Sequence, residues 1–146
     1  MASIFTRIIN GELPCFKIYE NEHVLAFLSR FSIQPGHVLI VPKREIDLFA
    51  DVPEPYYSAV FAAAKPISKA LKRATGCRRV GMMIQGWDVP HFHCHLVPMF
   101  GTKDMDPSNA RELGFNENRE MCERIVTELA EPKQNENESG DGDEPS

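Results

Sequence analysis

Apolar residues occur along this chain in short runs broken by turn-forming residues, and in two longer stretches of helical period. Ile4 to Ile9 suits a short helix or turn ahead of Asn10-Gly11. Residues 15–19 and 23–28 read as strands joined by Glu20-Asn21-Glu22. Gln34-Pro35-Gly36 signals a turn. His37 to Val41 is an apolar run that suits a buried strand, stopped by Pro42. Residues 79–84 read as a further strand before Gly86 turns the chain.

The longest helix is expected over 53–75. Tyr57, Val60, Phe61, Ala64, Ile67 and Leu71 recur at helical spacing. Asp51 and Glu54 stand at capping-box spacing, Pro53 suits the first turn, and Gly76 is a natural stop. Pro66 removes a backbone donor and predicts a kink. A last helix is expected over 116–130, capped by Asn116, with Met121, Cys122, Ile125, Val126 and Leu129 as its apolar stripe. Consecutive early strands with short links favour antiparallel pairing and an α+β class over a doubly wound parallel sheet.

Composition changes this picture little, but the placement of charge does. The chain has 146 residues, enough for one domain that buries about 70% of its unfolded surface. Its net charge is −5, from 16 basic and 21 acidic residues. Six of those acids and one base fall in residues 131–146, so that segment holds the whole imbalance. Residues 1–130 are neutral in sum and read as a single domain. Residues 131–146, polar and poor in anything to bury, read as a disordered acidic tail. Cys15, Cys77, Cys94 and Cys122 form no C-x-x-C pair, which argues against a structural zinc site and a disulfide framework. With no basic-apolar leader and no run of about 20 apolar residues, a cytoplasmic protein that neither enters nor spans a membrane is expected.

The candidate chemistry lies in residues 89–98. His91, His93 and His95 alternate with Phe92, Cys94 and Leu96, the side-chain period of a strand. One face is then all imidazole and the other all apolar. A single metal ion fits this row poorly, since His91 and His95 would lie about 13 Å apart along a strand against zinc–nitrogen bonds of about 2.0–2.1 Å. Nucleophilic and acid/base chemistry fits better. A neutral imidazole attacks well near neutral pH, and flanking imidazoles suit a phosphoryl centre.

These residues also carry a resemblance. His91-Phe92-His93-Cys94-His95-Leu96-Val97 is similar to the H-φ-H-φ-H-φ-φ signature of the histidine triad family. The likeness extends through residues 3–14, Ala26-Phe27-Leu28, 35–43 and Val89-Pro90. It implies a histidine-triad α+β fold: a five-stranded antiparallel sheet with a long central helix and a C-terminal helix, usually paired as a homodimer. It implies a phosphoramidase or nucleotidyl hydrolase or transferase acting on a purine nucleotide conjugate; from the residues themselves, no cofactor and no metal are expected. By the family pattern His93 attacks the α-phosphate and forms a nucleotidyl-histidine, His95 holds phosphate and assists the leaving group, and His91 supports the array. Phe5, Ile8, Phe27 and Leu28 match purine and ribose positions, and Trp87 to Val89 would face the phosphate.

The chain departs from that pattern in ways that bear on substrate. Ser3 and Thr6 stand where many members carry a C-x-x-C belonging to a zinc site. Glu45 stands where many have a further histidine, and reads equally as a surface side chain or as a partner orienting a triad histidine. Ser29 takes the place of the ribose-binding acid. Asp88 replaces a hydroxyl that would donate to phosphate, and its carboxylate would repel that phosphate unless protonated or turned away. Trp87 either stacks on a base or caps the core. A nucleotide-binding module with little turnover is the alternative to an enzyme. A nucleic-acid partner is not expected, because residues 1–130 carry no net positive charge.

Overall fold

The segments Val24–Leu28 and Val38–Pro42 are buried at every position, because they form the centre of a sheet covered on both faces. The computed structural model describes residues 2–130. The expected tail, 131–146, lies outside the described residues. In chain order the main elements are α1 (Ile4–Ile9), β1 (Lys17–Glu20), β2 (Val24–Leu28), β3 (Phe31–Ser32), β4 (Val38–Pro42), α2 (Tyr56–Thr75), β5 (Arg79–Met83), β6 (Cys94–Met99), β7 (Arg111–Glu112) and α3 (Phe115–Ala130). The five long strands form one sheet in the order β1-β2-β4-β6-β5, every pair antiparallel. β3 and β7, which the sequence pattern did not predict, make a separate two-stranded ribbon.

Alternation along the strands divides the core. Val24, Ala26, Leu28, Val38, Ile40, Cys94 and Leu96 face α2 and α3, meeting Val60, Ile67, Leu71, Met121 and Ile125. Leu25, Phe27, Leu39 and Val41 face the other way and pack with Phe5 and the half-buried Ile8, Ile9 and Val89. The first face makes the stable platform. The second, roofed by α1 and the segment before β6, is where the histidines lie.

Three expectations about ends are corrected. The long helix starts at Tyr56, and Asp51 belongs to a short 3₁₀ turn, Phe49–Asp51. There is no capping box: Glu54 instead accepts from the amide and hydroxyl of Ser58 at 3.0 and 2.7 Å. The helix runs on through Pro66, which is exposed, as is Ala62 four residues earlier, so the carbonyl that Pro66 cannot satisfy faces water. Gly76 ends it at φ 73°, as a left-handed C-cap. In the last helix Asn116 lies within the first turn rather than ahead of it.

Candidate active site

The strand that the alternation predicts over 91–96 begins only at Cys94, so His95 alone of the three histidines lies in β6. Pairing with β4 stops at Ile40↔Cys94. Beyond that point Pro42 has no N–H to continue a ladder, and Phe92 donates its amide instead to Ile46 at 2.6 Å. The chain tightens through His91, whose amide donates to the Val89 carbonyl at 2.8 Å. The division of faces survives this change. Phe92, Cys94 and Leu96 are buried on the helix side. His93 stands edge-on to Phe5, ring centroids 5.0 Å apart, and 5.0 Å from His95.

The hydrogen bonds fix the proton on each ring. His91 Nε2 lies 2.9 Å from the Pro42 carbonyl, which can only accept, so Nε2 carries the hydrogen. Its Nδ1 therefore accepts, from the Ser3 hydroxyl at 2.8 Å. With both nitrogens satisfied by protein and no exposed surface, His91 has no atom left for a substrate. Its own carbonyl accepts from His93 Nδ1 at 2.7 Å, which places the His93 hydrogen on Nδ1 and leaves Nε2 for the lone pair of a neutral ring.

A fourth histidine completes the chain. His37 Nδ1 accepts from the Ile33 amide at 3.0 Å, so its Nε2 bears the hydrogen and donates to His95 Nδ1 at 2.9 Å. Neutral His95 then presents Nε2–H outward. Burial, with His95 and His93 adding to it, pushes His37 down to about 3. Burial and His93 push His95 down to about 4 against the opposing pull of Asp88. Burial lowers His91 as well, opposed by its bond to Pro42 and by Glu45. These three rings are neutral at pH 7. His37 was missed by sequence reasoning, although one signal was available: it is the polar member of the set His37, Leu39, Val41 at strand period.

Three departures from the family pattern converge on His91. The Ser3 amide and the Thr6 hydroxyl both donate to Glu45 Oε1, at 2.9 and 2.6 Å. Ser3 Oγ also accepts from the Thr6 amide at 3.0 Å, capping α1. The backbone amide of Ser3 and the Thr6 hydroxyl hold Glu45 below the usual carboxylate range. Glu45 thus reaches His91 through Ser3 and is not a bland surface residue. Among the described residues no group of three or more His, Cys, Asp or Glu side chains is arranged to hold a metal.

The remaining expected site residues divide. Phe5, Ile8, Phe27 and Val89 share one cluster on the histidine side. Leu28 does not join them: it packs in the helix-side core, because its neighbour Phe27 takes the other face. The Ser29 hydroxyl is spent within the chain, donating to the Phe31 carbonyl at 2.8 Å. Trp87 is 85% exposed, which rules out its reading as a cap on the core. Asp88 is exposed beside it, near enough for its charge to act on His95. An open hollow lined by Lys17, Glu20 and Lys43 among others contains none of these residues, and its two lysines are both paired with Glu20.

A five-stranded antiparallel sheet that presents an alternating histidine row opposite its helices defines a histidine triad domain. The HIT domain profile matches residues 10–102, and the chain belongs to that family. It is 35% identical over 121 residues to an uncharacterised HIT-like protein of Mycoplasma genitalium, covering 80% of this chain and 81% of that one. It is 35% identical over 98 residues to the adenosine 5′-monophosphoramidase HNT1 of Saccharomyces cerevisiae, covering 66% of this chain and 62% of the yeast protein. Among solved structures, a HIT-like protein of Bartonella henselae superposes with a TM-score of 0.77 at 27% identity, over 86% of this chain and 94% of that one.

Proposed function

We propose that this protein hydrolyses conjugates of a purine nucleotide at the α-phosphorus, as a phosphoramidase or related nucleotidyl hydrolase. The observation that carries this reading is the bond from His93 Nδ1 to the His91 carbonyl, which leaves an unprotonated Nε2, free of any backbone partner among the described residues, for attack. His93 Nε2 attacks phosphorus, and the bond from phosphorus to the leaving group breaks with its electron pair going to the leaving atom. The ring becomes a cation whose Nδ1–H is held by the His91 carbonyl, an interaction that strengthens as charge develops. His95 Nε2–H, set by His37, hydrogen-bonds the leaving atom, which takes its final proton from solvent. Water then attacks the nucleotidyl-histidine, the phosphorus–nitrogen bond breaks, and His93 is restored. The apolar cluster of Phe5, Ile8, Phe27 and Val89 offers the base its pocket.

Similarity to the yeast adenosine 5′-monophosphoramidase supports an adenine nucleotide as the first substrate to try. Mass spectrometry of protein quenched during turnover of adenosine 5′-phosphoramidate tests the mechanism. A nucleotidyl adduct on His93 is expected, and full turnover by His93→Ala would sink it.

Asp88, an acid close to His95, favours a second reading: a nucleotide-binding module with little turnover. Tight binding by calorimetry together with conjugates that survive hours of incubation would select that reading.

The assembly belongs to the same proposal. β5 is an edge strand with Met82 45% exposed, a surface that suits sheet extension by a second copy. Sedimentation should give a homodimer, and Met82→Glu should shift it toward monomer. The four cysteines are free thiols, consistent with a cytoplasmic setting. Among the described residues no helix is long and apolar enough to cross a membrane.

A further inference from the structure

Residues 84–93 join β5 to β6, and 84–90 deliver the chain to the histidines. Within this link Val89 is anchored in the cluster around Phe5 and Phe27, while Trp87 and Asp88 form a bend that faces solvent. Trp87 is the most exposed of the large apolar side chains. An indole left this open contributes nothing to the core. Asp88 makes no hydrogen bond or ion pair among the described residues, and consecutive Cα atoms only about 3.8 Å apart keep it close to Val89. The lysines and arginines that do make ion pairs make them elsewhere, with Glu12, Glu20, Glu112, Glu123 and Glu128.

The histidines do not answer this carboxylate with charge. His37, His91 and His95 are held neutral by burial. Asp88 therefore brings to the His95 end of the row a negative charge that these three neutral rings do not offset. His95 is the ring the proposed reaction turns toward the leaving group. An oxyanion leaving group, such as sulfate or diphosphate, would be brought against a like charge. An ammonium group would meet a carboxylate on one side and the face of an indole on the other, the two groups that attract a cation best at a partly wet surface.

We propose that Trp87 and Asp88 form a leaving-group subsite that selects conjugates whose leaving group carries a positive charge and disfavours those whose leaving group is anionic. This rests on the nucleotidyl-hydrolase reading and narrows its substrate class to phosphoramidates of cationic amines. It also gives Asp88 a role other than repelling the α-phosphate: the exposed carboxylate acts on what departs.

The test uses the full chain and three non-hydrolysable adenosine 5′-sulfamates, with N-alkyl tails ending in trimethylammonium, tert-butyl or carboxylate. Calorimetry at low salt should show the trimethylammonium ligand binding about tenfold or more tighter than the carboxylate ligand, with tert-butyl between. Asp88→Asn should bring the ammonium and carboxylate ligands within about twofold of each other. Trp87→Ala should reduce the preference for trimethylammonium over its uncharged isostere. Both side chains are exposed, so both variants are expected to fold, and thermal unfolding checks this. Equal affinity for the three tails, or a charge preference that survives Asp88→Asn, overturns the subsite while leaving nucleotide binding intact. Failure of all three ligands to bind overturns the nucleotide reading itself, and the subsite with it.

Discussion

His37 Nε2 donates to His95 Nδ1 at 2.9 Å, and that one bond decides which nitrogen of His95 presents a hydrogen to the outside. The two residues are 58 positions apart and meet because β4 and β6 pair with Leu39 opposite His95.

Removing the donor should release His95 to adopt either tautomer. His37→Ala is expected to lower kcat by roughly tenfold to a hundredfold, below the full value of a lost acid or base, with a smaller change in KM. His37→Gln, whose amide can still donate, should recover part of the loss. Steady-state kinetics on an adenosine phosphoramidate separates these effects. Equal losses in both variants would assign His37 a packing role only.

The same burial makes stability depend on pH. His37 and His95 titrate near 3 and 4 in the fold, against about 6.5 when unfolded. Between those limits the unfolded chain binds protons that the folded chain refuses. Stability is therefore complete above about pH 6.5 and falls as pH drops toward 4, with His37 alone tending to a slope of about 1.4 kcal/mol per pH unit. Urea unfolding at pH 7.5, 6, 5 and 4.5 should show the decline, shallower in His37→Ala. A flat profile would contradict it.

Ser3 links the start of α1 to the histidine row. Ser3→Ala removes the helix cap and leaves the buried His91 Nδ1 without its donor. The expected loss is about 1–3 kcal/mol in chemical denaturation. Because the His91 carbonyl orients His93, activity should fall too. Glu45→Gln keeps the size of the side chain and weakens its hold on Ser3 and Thr6, so it should act in the same direction. A double mutant less destabilised than the two singles together would show that they work through one network.

Adjacent residues on opposite faces should behave oppositely. Phe92 is 2% exposed in the helix-side core, and Phe92→Ala is expected to cost about 3–5 kcal/mol of stability. His93→Ala should leave the protein folded and abolish the nucleotidyl adduct. Thermal unfolding and adduct mass spectrometry on the pair check this contrast.

Several parts of the fold were legible because they depend on local period. The apolar runs at 24–28 and 38–41, the spacing along α2, and the opposition of Phe92, Cys94 and Leu96 to the histidines all follow from where consecutive side chains must point. Element ends were less legible, since they rest on particular hydrogen bonds. Asp51 stands at capping distance from Glu54 in sequence, yet Glu54 turned to Ser58 instead. Leu28 was misplaced because a resemblance that spans two adjacent strand residues cannot send both to one face.

By itself, then, the sequence determined a histidine face, an apolar face and the family to which both belong. Tertiary structure decided which nitrogens bear hydrogen and which residues make them do so. Ser3 meets His91 across 88 positions, Thr6 meets Glu45 across 39, and His37 meets His95 across 58. Periodicity assigns a side chain to a face, but a hydrogen bond needs a partner within about 3 Å. Only strand register and the docking of α1 bring such distant groups that close.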